Sequence, residues 1–462
     1  MQDLPVFEDL PGRKARLETA FKRLDPSLRV PTQAIGRRYA IGCVAVEITQ
    51  RCNLDCTLCY LSESSEKVKD IPLALVMDRL QKVRDTYGDG VGVQITGGDP
   101  TLRKREELVA IVKRAAELGL EPSLMTNGIK LTRDLAQELK SVGLTDVAIH
   151  VDLTQERKRY ATEEDLNAVR KEYIERMRGL GLHVIFNTTV YDGNFNQIPG
   201  LIRFFAENAD VVNLASFQIQ ADTGRGVIKD RSDGITLKSV RAKIAEATGN
   251  PDLNWDNIRV GHPDCNSIAY TLVSKNGTTR FADLNVDPSL FAEIISSTTD
   301  LKFSRMDSRK TSLAVAKWAL GQPRLLALLL RSFVKVSLRN GPGMWLKKND
   351  PRKLTLIIHN FMDASDLDPM RVSNCSFMVA TDKGFVSMCA HNAARETFIR
   401  RPLTIETPEG KKTWNPLTGT YVDDPRSLQL PVSTYIPANL AEIPVPQVPV
   451  STLPVAMGAG GK

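Results

Sequence analysis

The residues best suited to chemistry lie in one short loop, Cys52-Asn53-Leu54-Asp55-Cys56-Thr57-Leu58-Cys59-Tyr60. Its pattern is Cys-x3-Cys-x2-Cys, with an aromatic residue directly after the last thiol. Three thiols this close cannot pair evenly as disulfides. As thiolates they are soft ligands suited to iron, and so short a loop can wrap one face of a cubane iron–sulfur cluster. Three ligands leave one corner iron open, where a cofactor could bind and react. A zinc loop completed by a distant ligand, or three unrelated cysteines, are the readings this nonapeptide alone leaves open.

Further polar motifs follow at intervals. Gly97-Gly98-Asp99-Pro100 and Thr126-Asn127-Gly128 each close an apolar run. Paired glycines let the backbone approach a ligand and expose its N–H and C=O groups, while Asn and Gly also suit a plain turn. His150-Val151-Asp152 ends a later run, and a polar side chain there can face a ligand and bind a ribose hydroxyl. Asp152 is the preferred residue, with His150 read as a satisfied core histidine. Asn187-Thr188-Thr189 and Gln218-Ile219-Gln220 sit at two further run ends and can line a cavity.

The elements that must position these residues alternate. Strands are expected over Val44–Thr49, Val91–Thr96, Pro122–Thr126, Asp146–Leu153, His183–Val190 and Val211–Gln220. Helical patterns lie between them, at Leu73–Tyr87, Glu106–Leu118, Arg133–Val142, Asp165–Leu180 and Ile198–Asn208. Units of strand and helix in series imply a parallel sheet with right-handed crossovers, and ligand sites at the carboxyl ends of its strands. Every motif above falls at such an end. Five regions are expected: an N-terminal extension (1–39), the α/β core (40–222), a helical connector (223–257), a mixed α+β unit (258–405) and a Pro-rich flexible tail (406–462).

The order and spacing of these motifs resemble the radical S-adenosylmethionine (radical SAM) superfamily. The resemblance implies a partial (β/α)6 barrel with a [4Fe–4S] cluster on Cys52, Cys56 and Cys59. S-adenosylmethionine would chelate the open iron and, on reduction, release a 5′-deoxyadenosyl radical that takes hydrogen from an inert C–H bond. It further implies that Tyr60 packs beside the cluster and adenine, that Gly97, Gly98 and Asp99 receive the SAM amino group, and that Thr126 and Asn127 border the cofactor. The family has Glu where this chain has Asp99, so the shorter carboxylate has less reach. A flavodoxin- or ferredoxin-type electron donor is expected as partner.

Four more cysteines lie outside the loop. Cys43, inside the first strand, reads as a small buried hydrophobe. His262-Pro263-Asp264-Cys265 precedes one expected hairpin, and Cys375 and Cys389 flank another, 14 residues apart. Converging, these three thiols would hold an auxiliary iron–sulfur cluster, with a fourth ligand from His262, Asp264, His391 or substrate. Three separate buried thiols are the other reading. The motifs around Cys265, Cys375 and Cys389-Ala390-His391-Asn392 resemble the archaeal tetraether lipid synthase group, which implies a hydrophobic or lipid substrate, although that group carries more cysteines. Lys317, Arg324, Arg331, Lys335 and Arg339 recur at intervals of seven, seven, four and four among leucines. Such a helix can lie in an anionic headgroup layer or pack on its own domain with a solvated stripe. Gly321 and Pro323 would kink or split it.

Totals set the outer bounds. The chain has 462 residues, 42% apolar and 25% charged, with seven cysteines and a formal net charge of +7. That is the composition of a soluble globular protein with room for two or three domains. An odd cysteine count with three in one loop argues against a disulfide framework and for a reducing cytosol. No apolar signal region opens the chain and no run reaches bilayer length, so the expected place is the cytoplasm, with peripheral contact on the membrane's cytoplasmic face. The mild positive excess suits an anionic surface or substrate; no nucleic-acid partner is expected. The expected activity is hydrogen abstraction from a hydrophobic, lipid-like substrate, with peptide modification or methylation as alternatives and a non-catalytic cluster- or zinc-binding protein as the rival from another class.

Overall fold

The computed structural model describes residues 7 and 9–422, apart from 229–230, 252, 256–257, 277, 285–286, 303–307, 347–350 and 408–409. The strands are β1 (Cys43–Thr49), β2 (Gly92–Gly97), β3 (Glu121–Thr126), β4 (Asp146–His150), β5 (His183–Val190), β6 (Val212–Ile219), β7 (Asn266–Asn276), β8 (Thr278–Asp283), β9 (Arg352–Asn360), β10 (Phe377–Thr381), β11 (Gly384–Ser387), β12 (Leu403–Thr407), β13 (Gly410–Asn415) and β14 (Thr420–Val422). The helices are α1 (Leu10–Arg23), α2 (Leu73–Tyr87), α3 (Arg105–Glu117), α4 (Arg133–Ser141), α5 (Asn167–Met177), α6 (Ile198–Glu207), α7 (Leu237–Thr248), α8 (Pro288–Ser297), α9 (Ser308–Leu320), α10 (Pro323–Asn340), α11 (Pro369–Ser373), α12 (Met388–Ala393) and α13 (Arg395–Arg400).

Strands β1 to β6 lie side by side in chain order, all parallel, each joined to the next through a helix. This is the α/β arrangement the alternating pattern implies, and it underlies a partial (β/α)6 barrel. The face that meets α2–α6 is apolar, while the other face turns to the interior and mixes apolar with polar side chains. Val44, Val46 and Ile48 on β1, and Val93 and Ile95 on β2, are fully buried in a continuous core.

The sheet does not stop at six strands. Its order is β11-β10-β1-β2-β3-β4-β5-β6-β9-β7-β8. β9 joins β6 in parallel (Leu214 opposite Thr355), and β10 joins β1 in parallel (Cys43 opposite Phe377). Residues read as a second unit therefore extend both edges of the core sheet. β7–β8 and β10–β11 are the two expected hairpins; Gly277 of the first turn lies outside the described residues.

Two local expectations need correction. The expected flexible tail begins too early, because residues 410–422 form β13 and β14 in a small sheet with β12. Leu403 and Ile405 bury themselves against Leu75, Ile71 and Trp414, which fixes this sheet on α2. Residues 423–462 of that tail lie outside the described residues. The basic stretch does split at Gly321-Gln322 before Pro323, as those residues imply, but Lys335 pairs with Asp287 at the start of α8 instead of joining the exposed basic stripe.

Candidate functional site

The cysteine loop leaves the end of β1 and is held from three sides. Thr57 N–H donates to Thr154 O (2.8 Å) beyond β4. Asn127 Nδ2 beyond β3 donates to Asn53 Oδ1 (2.7 Å) and lies 4.0 Å from Cys52 Sγ. The segment 224–228 straps it from above: Gly226 N–H donates to Cys59 O (3.0 Å) and Val227 N–H to Thr57 O (2.8 Å). A Cβ on Gly224 would sit 2.3 Å from the Tyr60 carbonyl carbon, so this strap closes only with glycine there. Sequence reading missed the strap; the two glycines of Thr223-Gly224-Arg225-Gly226 were its available signal.

Gly97 and Gly98 owe their identity to backbone contact first. Gly98 N–H donates to Thr49 O (2.9 Å) and Asp99 N–H to Arg51 O (2.8 Å). A Cβ would lie 1.9 Å from Thr49 O at Gly97, where φ is +127°, and 2.0 Å from Arg51 O at Gly98. The pair thus locks the end of β2 to the start of the cysteine loop. The Asp99 carboxylate is fully used inside the protein: it accepts from Thr101 N–H (3.0 Å), Thr126 Oγ1 (2.8 Å) and Asn127 N–H (2.9 Å). Its side chain therefore ties the second motif to the third.

Asp152 departs from expectation. It is wholly buried and absent from the cavity wall, whereas His150 lines it. The strand ends at His150, and the turn carries Asp152 inward, where it accepts from Thr154 N–H (3.0 Å) and Thr189 N–H (2.7 Å) and meets His150 Nε2 at 2.6 Å. Burial disfavours charge on Asp152, but His150 and these donors outweigh it and hold the carboxyl at about 2. Burial likewise opposes charge on His150, and Asp152, with Glu163 behind it, prevails and raises the imidazole above its ordinary value.

One cavity of about 480 Å³ receives almost all of the singled-out residues: Cys52, Cys56, Cys59, Tyr60, Gly97, Gly98, Asp99, Thr126 and Asn127, and also Cys265, Cys375 and Cys389. Cys43, read as buried, also opens on it. Facing side chains alternate along each strand, and here they form a polar arc. His150, Asn187 and Ser216 are in register across β4, β5 and β6, and Thr189, Gln218 and His359 across β5, β6 and β9. Asn187 Nδ2 and Ser216 Oγ are buried with no partner, so the arc has donors to offer a ligand. Beside it the wall is apolar, with Met125, Ile185, Leu214, Ile268, Ile357 and Phe361.

The second set of cysteines enters from the added strands. Cys265 precedes β7, Cys375 precedes β10 and Cys389 is the second residue of α12. Arg371 Nε donates to Cys265 Sγ at 3.4 Å, and Met362 N–H to Cys389 Sγ at 3.5 Å. Burial raises Cys375 to about 11 and Cys389 to about 12, and the neighbouring thiols add to both. Burial also raises Cys52 and Cys56, again reinforced by their fellow cysteines. Buried thiols that oppose each other's ionisation favour a shared cation, and iron supplies one. Among the described residues no three His, Cys, Asp or Glu side chains approach closely enough for a single metal ion. A cubane cluster would put each thiolate on a separate iron, a wider set of ligands than one ion takes.

A further group escaped sequence reading. Arg395, at the start of α13, is buried, lies with its guanidinium 4.5 Å from the Tyr60 ring centroid and pairs with Glu47 of β1 at 2.5 Å. Tyr60 Oη donates to Gly97 O at 2.5 Å. The aromatic residue after the last cysteine is therefore fixed at both ends.

Residues 46–205 match the sequence profile of the Radical SAM superfamily. Over 411 residues the chain is 26% identical to a 7,8-dihydro-6-hydroxymethylpterin dimethyltransferase of Methanocaldococcus jannaschii, covering 79% of each protein. It is 32% identical over 183 residues to a PqqA peptide cyclase of Bradyrhizobium diazoefficiens, spanning 38% of this chain and 46% of that one. Streptococcus suis SuiB bound to its precursor peptide SuiA aligns with a TM-score of 0.38 at 18% identity, over 47% of this chain and 48% of SuiB. Residues 46–205 thus carry a radical SAM domain, the unit with which radical SAM enzymes cleave S-adenosylmethionine with the aid of a [4Fe–4S] cluster.

Proposed function

We propose that this enzyme takes hydrogen from an unactivated carbon of a hydrophobic, lipid-like substrate as a step in carbon–carbon bond formation. The observation that carries the reading is the single cavity bearing both cysteine trios, with an apolar wall beside its polar arc. When bound, the cluster and SAM supply the hydrogen-abstracting radical. Cys52, Cys56 and Cys59 hold the cluster, and the backbone at Gly97 and Gly98, with Thr126 and Asn127, borders SAM. His150 replaces Asp152 as the group facing the ribose; Asp152 orients it. Asn187 and Ser216 spend their free polar atoms on the cofactor. That leaves Met125, Ile185, Leu214, Ile268 and Ile357 to hold an apolar substrate and keep water from it.

Cys265, Cys375 and Cys389, which line the same cavity, would hold an auxiliary iron–sulfur cluster, with Arg371 stabilising the Cys265 thiolate. A small flavodoxin- or ferredoxin-type carrier supplies electrons. Methylation of a heterocycle is the second reading, favoured by the long match to the dihydropterin dimethyltransferase. The test incubates reconstituted enzyme, SAM and reductant with host lipid extract or with 6-hydroxymethyl-7,8-dihydropterin, and follows both by mass spectrometry. Lipids that lose hydrogens or become joined support the first reading. Methylated pterin without lipid change supports the second.

A further inference from the structure

Helix α10 has two apolar faces. Leu325, Leu328 and Val336 are buried, and the helix packs on α8 and β8. On the opposite side Leu330 (57% exposed), Phe333 (51%), Val334 (51%) and Leu338 (79%) face outward, spread over roughly 140° of the helix surface at 3.6 residues per turn. Leu313 and Leu320 of α9, and Leu346 beyond α10, are exposed as well. Single exposed leucines are ordinary on a soluble protein, but several exposed apolar side chains gathered on one helix face are a mark of contact with something apolar.

The charge around the patch narrows what that is. Arg324 and Arg331 project within roughly 20° of one another along one rim, with exposed Arg339 beyond them. Residues 308–349 contain nine Lys and Arg and no Asp or Glu. Two described acids pair with this segment: Asp287, just before α8, with Lys335, and Glu293 of α8, 3.9 Å from Arg324. Leucines and an aromatic ring bordered by arginines match the acyl boundary and phosphate layer of an anionic bilayer. A second copy is disfavoured, because the same cationic rim would face itself. Among the described residues no helix is long and apolar enough to cross a membrane, so the fit is along the surface.

We propose that the outer face of α10 docks the enzyme on anionic phospholipid membrane, with Phe333, Leu330, Val334 and Leu338 in the acyl boundary and Arg324 and Arg331 on the phosphates. This surface gives the proposed hydrophobic substrate a source and rests on that reading for its purpose, but its evidence is the helix alone. The test is vesicle flotation of the full-length holoenzyme with phosphatidylcholine alone or mixed with phosphatidylglycerol. Binding is expected only with phosphatidylglycerol, falling with salt. Arg324→Glu with Arg331→Glu should weaken it on the order of tenfold or more, and Phe333→Ser with Leu338→Ser should abolish it, while circular dichroism and SAM cleavage in solution stay unchanged. Absence of flotation, equal binding to neutral vesicles, or binding untouched by either pair overturns the proposal. So does concentration-dependent dimerisation in sedimentation that Phe333→Ser with Leu338→Ser removes, which would make this face a protein interface. Lipid products without flotation would leave the chemistry standing and remove only this surface.

Discussion

Arg395 Nη1 lies 2.5 Å from Glu47 Oε1, joining the first strand of the core sheet to a helix 348 residues later in the chain. Gln50 Nε2 donates to the other carboxylate oxygen at 2.8 Å, and Asn392 Oδ1 accepts from Arg395 Nη2 at 2.8 Å. Burial alone would raise the Glu47 carboxyl; Arg395, His391 and Gln50 reverse that and hold it at about 2.

Removing one partner of this pair strands a buried charge. Arg395→Met should destabilise the fold by about 3–5 kcal/mol, read as a lowered denaturation midpoint. Glu47→Gln combined with Arg395→Met should recover much of the loss. Equal destabilisation by the double and single variants would show that the pair does not act as a unit.

Loss of one loop thiolate should cost the first cluster. Cys56→Ala is expected to lower iron and sulfide and abolish SAM cleavage, whereas Cys389→Ala should lower iron while leaving reductive cleavage measurable. Unchanged iron in the second variant would remove the auxiliary centre, and undiminished cleavage in the first would remove the loop from the chemistry.

His150 and Asp152 divide one task. Asp152→Asn should lower the His150 pKa toward its ordinary value, seen by NMR titration, and raise KM for SAM with a smaller effect on kcat. His150→Gln should raise KM without altering the fold. If the titration of His150 does not move in Asp152→Asn, the carboxylate is not its orienting partner.

Acid should weaken the protein through His391. Burial lowers this group to about 4, with Glu47 opposing and Arg395 assisting, whereas an unfolded histidine titrates near about 6.5. The unfolded chain therefore binds the proton first. The contribution to stability is present above that unfolded value and is lost as pH falls toward 4, amounting to about 2 kcal/mol between about pH 7 and pH 5. Denaturant titrations at those two pH values should show a smaller pH dependence in His391→Asn. An equal dependence would place the acid sensitivity elsewhere.

The six core strands were legible because a parallel strand buried on both faces reads as an apolar run, and their ends marked the ligand side. Asp152 was misplaced because the strand was expected to run to Leu153, whereas the chain already turns after His150. Arg395 offered no local signal at all: a lone arginine in sequence does not announce a partner on the first strand. Nor could periodicity say that β9 and β10 would settle on opposite edges of one sheet, since edge choice depends on contacts between distant segments.

That edge choice bears on how the protein is made. On the ribosome β1 emerges early, yet its neighbour β10 arrives near the end of the described chain, so one flank of the nascent sheet stays open through most of translation. An unpaired strand edge is a template for unwanted association. Chains interrupted before Phe377 should therefore be prone to aggregate, and expression yield should depend on whether synthesis runs to completion.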